Sequence, residues 1–252
     1  MKSNLFLSRL ILNPRNRHVR RDLGNCQDLH RTILNAFPQT EGGQARESFA
    51  VLFRVETDHK TGKVSLLVQS NVEPDWRCLP KDHNNEPYCT ESLDDEPNPS
   101  CKPITMLYDS LRTGQQLIFR LRANPTKRIS ANNRNQAPRW HGKRVELCRE
   151  EDRIEWLQRK AESLGFQLTS VQLKKDLPST QVAQDGKTFG WRSADRRGKP
   201  DLAFGAVLFE GELTVTDAMK FKQALASGIG SGKAYGFGLL SIAPLRSSWR
   251  SR

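Results

Sequence analysis

Residues 228–244 read GIGSGKAYGFGLLSIAP, and five of the chain's 17 glycines fall between Gly228 and Gly238. No other stretch restricts the fold as tightly. A helix-like run (217–227) precedes it and a strand-like run (Leu239, Leu240, Ile242) follows. Glycine takes positive φ readily and lets another backbone come close. Successive N–H groups in such a turn form a concavity for an anion, usually a phosphate. Lys233 adds a cation and Tyr235 a ring on which a base can stack. Glycine alone serves equally well as a roomy helix-to-strand connection. Two phosphate motifs are excluded. Ser227 stands where a P-loop needs its first Gly, and Ala234 where it needs Ser or Thr. G-x-G-x-x-G fails in each frame, ending on Lys233, Tyr235 or Ser241. The stretch is therefore read as a loop that touches a phosphate chain at several points.

Charge points to the same partner class. Lys and Arg number 40 against 28 Asp and Glu, a net charge of +12, and the pI is about 9.8. Such a balance calls for nucleic acid or an anionic membrane. No segment approaches the ~18 apolar residues of a bilayer span. MKSNLFLSRLILNPR is interrupted by Ser8 and Arg9 and lacks a signal-peptide cleavage site. A cytoplasmic protein without a membrane partner is expected. Five cysteines, an odd and widely spaced set, fit a reduced compartment. Cys78, His83, Cys89 and Cys101 share one loop, but without a CxxC knuckle the three cysteines read as free thiols rather than as part of a zinc site.

Periodicity orders the chain. Residues 5–12 read as a strand, and 13–21 as a basic loop through Arg15, Arg17, Arg20 and Arg21. Asn25 caps an expected helix over 26–37, with Cys26, Leu29, Ile33, Leu34 and Phe37 on its apolar arc and His30 inside that arc. Residues 48–56 and 63–70 alternate as strands around a turn at 58–63. Residues 80–103 carry five prolines and an acidic run, and read as a linker or long surface loop. The second half reads strand (115–124), basic loop (125–144), helix (150–164), strand (166–173), basic loop (187–199), strand (202–215), helix (217–227), glycine loop and strand. That order is the split βαβ, or ferredoxin-like, βαββαβ unit. The first half repeats its opening, although its second helix and closing strand are not legible, and 115–124 is an alternative closing strand. The expected fold is α+β: two tandem ferredoxin-like, RRM-like domains with antiparallel sheets and a C-terminal glycine-rich loop. The N-terminal domain is set at 1–79, the linker at 80–113 and the C-terminal domain at 114–248.

Three basic loops with interleaved aromatics suit a phosphate backbone. Arg122, Lys127, Arg128, Arg139, Lys143, Arg144, Arg192, Arg196 and Arg197 are the candidate contacts, joined by Gly230, Gly232, Lys233 and Tyr235. No aromatic RNP signature is present, so a structured RNA gripped along its backbone fits better than stacked single strands. His30 is the candidate for chemistry. RNA carries its own nucleophile, the 2′-OH, and a protein need only align it and move protons. A lone histidine on an apolar face also serves as an ordinary core residue.

FLSRLILNP, Leu29-His30-Arg31-Thr32, LVQSNVEPDW, FRLRANPTKR, IEWLQRK, AVLFEGELTV and GIGSGKAYGFGLLSIAPL run in order from residue 5 to 245. In that combination the chain resembles the CasE family, the crRNA-processing endoribonuclease of type I-E CRISPR Cascade. The resemblance implies tandem ferredoxin-like domains. It also implies cleavage of CRISPR repeat RNA at the base of its stem-loop, with no metal or other cofactor. The 2′-OH would attack and leave a 2′,3′-cyclic phosphate. The product crRNA would stay bound, beside other Cascade subunits. The family's catalytic histidine matches His30, its glycine-rich motif matches 228–238, and its groove-binding hairpin corresponds to the arm of Arg192, Arg196 and Arg197. One departure stands out. Members often carry Tyr three residues before the histidine, where this chain has Gln27, which donates a hydrogen bond but does not replace a phenol in proton transfer. Two other readings differ in class: a non-catalytic RNA-hairpin-binding subunit with a structural His30, and a basic domain for generic RNA.

Overall fold

The computed structural model describes residues 4–40, 45–58, 60–91, 96–129, 142–174, 187–191 and 199–245, with only the backbone at 172–174. The first half builds one antiparallel sheet from β1 (Phe6–Ile11), β2 (Leu52–Thr57), β3 (Val64–Ser70) and β4 (Ser100–Pro103), in the order β2-β3-β1-β4. Alternation along β1 sends Ser8 and Leu10 into the core and leaves Arg9 exposed. The turn at 58–63 forms as read. Asp58 N–H donates to the Lys63 carbonyl at 2.9 Å, and Gly62 takes φ +68°.

Residues 13–21, read as a loop, are in large part a helix, α1 (Arg17–Leu23). Asn16 caps it by accepting from the His18 and Val19 amides, and Val19 is the apolar residue it buries. The first acid after the basic run, Asp22, is fully buried. It accepts from Thr32 Oγ1 at 2.6 Å, from the Tyr88 hydroxyl at 2.9 Å and from Arg21. α2 (Cys26–Leu34) begins at its Asn25 cap as expected but ends before Phe37. Residues 35–37 turn instead, through bonds from Ala36 and Phe37 amides to the Ile33 and Leu34 carbonyls. Phe37 is buried all the same. A short α3 (Ala45–Ser48) takes the start of the stretch read as a strand from 48, so β2 begins at Leu52.

The stretch 80–113, read as a linker or surface loop, contributes to the first half. Tyr88 is buried, Cys89 bridges to Leu12, and Asn98 bonds both the N–H and the carbonyl of Ile11. β4 then pairs with β1 and closes the first sheet, so 115–124 does not. α4 (Thr105–Asp109) leads out of it.

The second sheet contains β5 (Gln116–Ala123), β8 (Phe166–Lys174), β11 (Val207–Val215) and β12 (Leu240–Pro244), in the order β12-β5-β11-β8. β5 buries Leu117, Phe119, Leu121 and Ala123 in strict alternation. Between β5 and β8 lie a hairpin, β6 (Thr126–Arg128) with β7 (Arg144–Glu146), and α5 (Glu150–Ser163). Gly165, at φ +80°, turns the chain out of α5, where a Cβ would meet the Asp217 carbonyl at 2.5 Å. The strand read over 202–215 is broken. β10 (Leu202–Gly205) pairs with β9 (Lys187–Gly190) in a separate ribbon, and only β11 enters the sheet. β9 also makes the start of the second basic loop a strand. α6 (Ala218–Ser227), capped by Asp217, follows β11, buries Phe221, Ala224 and Leu225, and leads into the glycine loop.

Both sheets therefore have their closing strand beside the first and their third beside the second, the arrangement of the split βαβ unit. The second half carries both helices; among the described residues of the first half, β3 is joined to β4 without the second one. Each half has its own apolar core. Polar side chains join the halves. Arg54 on β2 is 2% exposed, bonds the Leu239 carbonyl at 2.9 Å and Ser241 Oγ at 2.8 Å, and pairs with Glu56. Gln69 on β3 donates to the Leu225 carbonyl at 2.8 Å.

Candidate active site

α2 places His30 by simple geometry. Leu29 and Ile33 point into the first core, and His30, 100° round from Leu29, rides at the rim of that face, half-buried. There it meets the glycine loop of the other half: its ring lies 5.9 Å from that of Tyr235. Tyr235 stacks on Phe204 at 5.0 Å, and Phe204 packs on Phe237.

The loop is shaped by its glycines. Lys233–Tyr235 forms a single 3-10 turn between Gly232 and Gly236, both left-handed. At Gly236, φ +85°, a Cβ would sit 3.2 Å from the Phe53 ring; at Gly230, φ +87°, one would sit 3.1 Å from Trp156. Arg122 supports the turn, its guanidinium 4.5 Å over the Phe237 ring and bonded to the Gly236 carbonyl and to Thr188 Oγ1. This candidate RNA contact thus has much of its side chain engaged in holding the loop.

The electrostatics is that of a half-buried, cationic site. Burial first, then Arg46 and Arg31, push the His30 pKa down to about 4, so the imidazole is neutral at neutral pH. Burial, Arg46 and Lys160 likewise lower Lys233. Arg46, from α3, acts on both groups and was not legible beside His30 in the sequence; Lys160, near the end of α5, acts on Lys233 alone. Lys160 ends the IEWLQRK segment, which was read only as an amphipathic helix, and no motif surrounds Arg46. Gln27 is one turn before His30 on the same helical face. Asn25 was read only as a cap. It accepts from the Gln27 amide and also exchanges hydrogen bonds of 3.1 Å with both backbone groups of Trp191, tying the start of α2 to the end of β9. Cys26 is buried beside Gly190, its thiol pushed up to about 12 by that burial, and so is protonated at neutral pH.

Lys127, Arg128 and Arg144 lie on the β6–β7 hairpin and line an open groove of about 710 Å³ that ends at the glycine loop. Lys143 is exposed just before β7. Arg139, Arg192, Arg196 and Arg197 lie outside the described residues. Cys78 is exposed, Cys89 buried and Cys101 half-buried, all as free thiols. Among the described residues no group of three His, Cys, Asp or Glu side chains is placed to hold a metal, and no helix is long and apolar enough to cross a membrane.

The profile of the family described as CRISPR associated protein matches residues 5–244. The CRISPR-associated endoribonuclease Cse3 of Thermus thermophilus is 37% identical over 243 residues, 95% of this chain and 100% of the relative. The CRISPR system Cascade subunit CasE of Escherichia coli is 37% identical over 137 residues, 54% of this chain and 61% of the relative. A solved structure of Cse3 bound to 19 nt RNA matches with TM-score 0.72 and 35% identity, covering 96% of this chain and 100% of that one.

Proposed function

The chain belongs to the CRISPR-associated protein family, with Cse3 and CasE among its relatives, and from that premise we propose that it is an endoribonuclease that processes CRISPR repeat RNA. The finer reading is metal-independent cleavage at the base of the repeat stem-loop. The neutral His30 takes the proton of the 2′-OH, the 2′-oxygen bonds to the adjacent phosphorus, and the bond from phosphorus to the 5′-oxygen breaks. The products are a 2′,3′-cyclic phosphate and a 5′-OH, the leaving oxygen taking a proton from solvent water as it departs and His30 returning its own proton to solvent. Lys233 and Arg46 offset the negative charge that builds on the phosphoryl oxygens. Gln27 donates a hydrogen bond that orients the phosphate. CasE is named as a Cascade subunit, and on that likeness the chain keeps its hairpin product and sits beside other Cascade subunits.

The observation that carries this reading is the meeting of His30 with Tyr235, across the joint between the halves and within the field of Arg46. Incubating cognate repeat RNA with the protein in EDTA tests it. One cut at the stem base with a cyclic-phosphate end is expected, abolished by 2′-deoxy substitution at the nucleotide before the cut. Cleavage that requires a divalent ion, or that survives the 2′-deoxy substitution, contradicts it. Tight hairpin binding without any cleavage would favour the non-catalytic binding subunit.

A further inference from the structure

The groove at the glycine loop is built from three elements. The β6–β7 hairpin brings Lys127, Arg128 and Arg144 to one wall, and the end of α5 brings Arg159 and Lys160 to the other. Residues 227–231 and Lys233 close it. Among the described residues six cations line this space, and no carboxylate does. Arg159 has an ion pair outside it, with Glu155 at 3.8 Å, but that pair is exposed and worth little. Like charges gathered around a concavity repel until an anion fills it.

Size and position narrow the anion. About 710 Å³ is the volume class of a small-molecule pocket, some 300–1,000 Å³, and holds a short run of nucleotides. Ser163, Ser227, Gly228, Gly230 and Ser231 in the lining are small enough for a backbone to come close. The groove shares the glycine loop with the catalytic site: Lys233 lines it, and Tyr235, two residues on, faces His30. A strand leaving the phosphate beside His30 reaches Lys233 first.

We propose that this groove is a track for single-stranded RNA that continues from the cut phosphate outside the hairpin. The inference rests on the RNA-processing reading and adds a second subsite to it. The test compares a bare repeat hairpin with hairpins extended by a short single strand on the 5′ or the 3′ side. All carry 2′-deoxy at the cut. The wild-type chain should bind one extended RNA more tightly than the bare hairpin, with a steeper salt dependence. In Arg159→Ala/Lys160→Ala that advantage should shrink, by up to about 0.7 unit of salt slope for each single-strand phosphate that is no longer neutralised. Arg159 and Lys160 are exposed, so the fold should tolerate the change. Three results would overturn the proposal: no gain from either extension in the wild type, an extension advantage that survives the double substitution, or an equal loss on the bare hairpin. The last would make the groove a binding surface for the stem. His30-dependent cleavage of the bare hairpin, measured alongside with an all-ribose RNA, separates failure of this subsite from failure of the underlying reading.

Discussion

His30 is the residue whose protonation should report on bound RNA. Burial, Arg46 and Arg31 hold its pKa near 4 rather than the usual value near 6.5. A phosphate placed beside it favours the charged form and raises that value. The imidazole should therefore titrate near 4 in the free protein and clearly higher with 2′-deoxy repeat RNA bound, as followed by NMR. An unchanged titration would place the phosphate elsewhere. The same depression links His30 to stability. Between about 4 and 6.5 the unfolded chain takes up a proton that the folded chain refuses. The stability of the neutral form is thus present above about 6.5 and lost as pH falls toward 4, and His30→Gln should flatten that part of the stability profile. Gln27, on the same face, is proposed to orient the phosphate without transferring a proton. Gln27→Ala should slow cleavage less than His30→Ala, and Gln27→Tyr should speed it if a phenol belongs in this site; equal loss in both alanine variants would contradict that ranking. That His30 and Gln27 share a helix face was legible because a capped helix fixes it; Gln27 was singled out through the family resemblance. Arg46 was not legible beside them, because only packing carries α3 to the joint.

At the scale of elements, the glycine loop decides the geometry around Tyr235. Gly230→Val and Gly236→Val force a side chain into left-handed backbone, at about 1–2 kcal/mol each. They also press it against Trp156 and Phe53. Both variants should lose melting temperature and cleavage together. Lys233→Ala should keep its melting temperature and lose less cleavage than either. Valine variants that fold and cut like the wild type would reduce the loop to a connector. The sequence announced this loop through its composition, yet its clamp on Phe53 and Trp156 is tertiary. Other elements were hidden for local reasons. α1 buries little beyond Val19 of its apolar residues, so its periodicity is faint beneath the arginines. β4 is only Ser-Cys-Lys-Pro, with no alternation to read, and β1 supplies its pairing. The alternation of β10 runs on into β11, which conceals the change of sheet after Gly205.

For the whole molecule, a net charge of +12 makes phosphate contacts the main source of affinity. Removing Arg192, Arg196 and Arg197 together should weaken repeat binding. It should flatten the salt dependence by up to about 0.9 unit of slope for each duplex phosphate that is no longer neutralised. An unchanged slope would mean that these arginines do not touch the duplex. The proposal separates affinity from chemistry: the basic surfaces would hold the RNA, and the joint between the halves would cut it. The single-turnover rate of His30→Ala at saturating protein tests that division most directly. The account predicts a fall of roughly a hundredfold to ten-thousandfold, with repeat affinity nearly intact. Some loss of stability is expected in either case, since His30 is half-buried, so the rate of the bound, folded variant decides. A bound and folded His30→Ala protein that cuts at the wild-type rate would contradict the catalytic assignment.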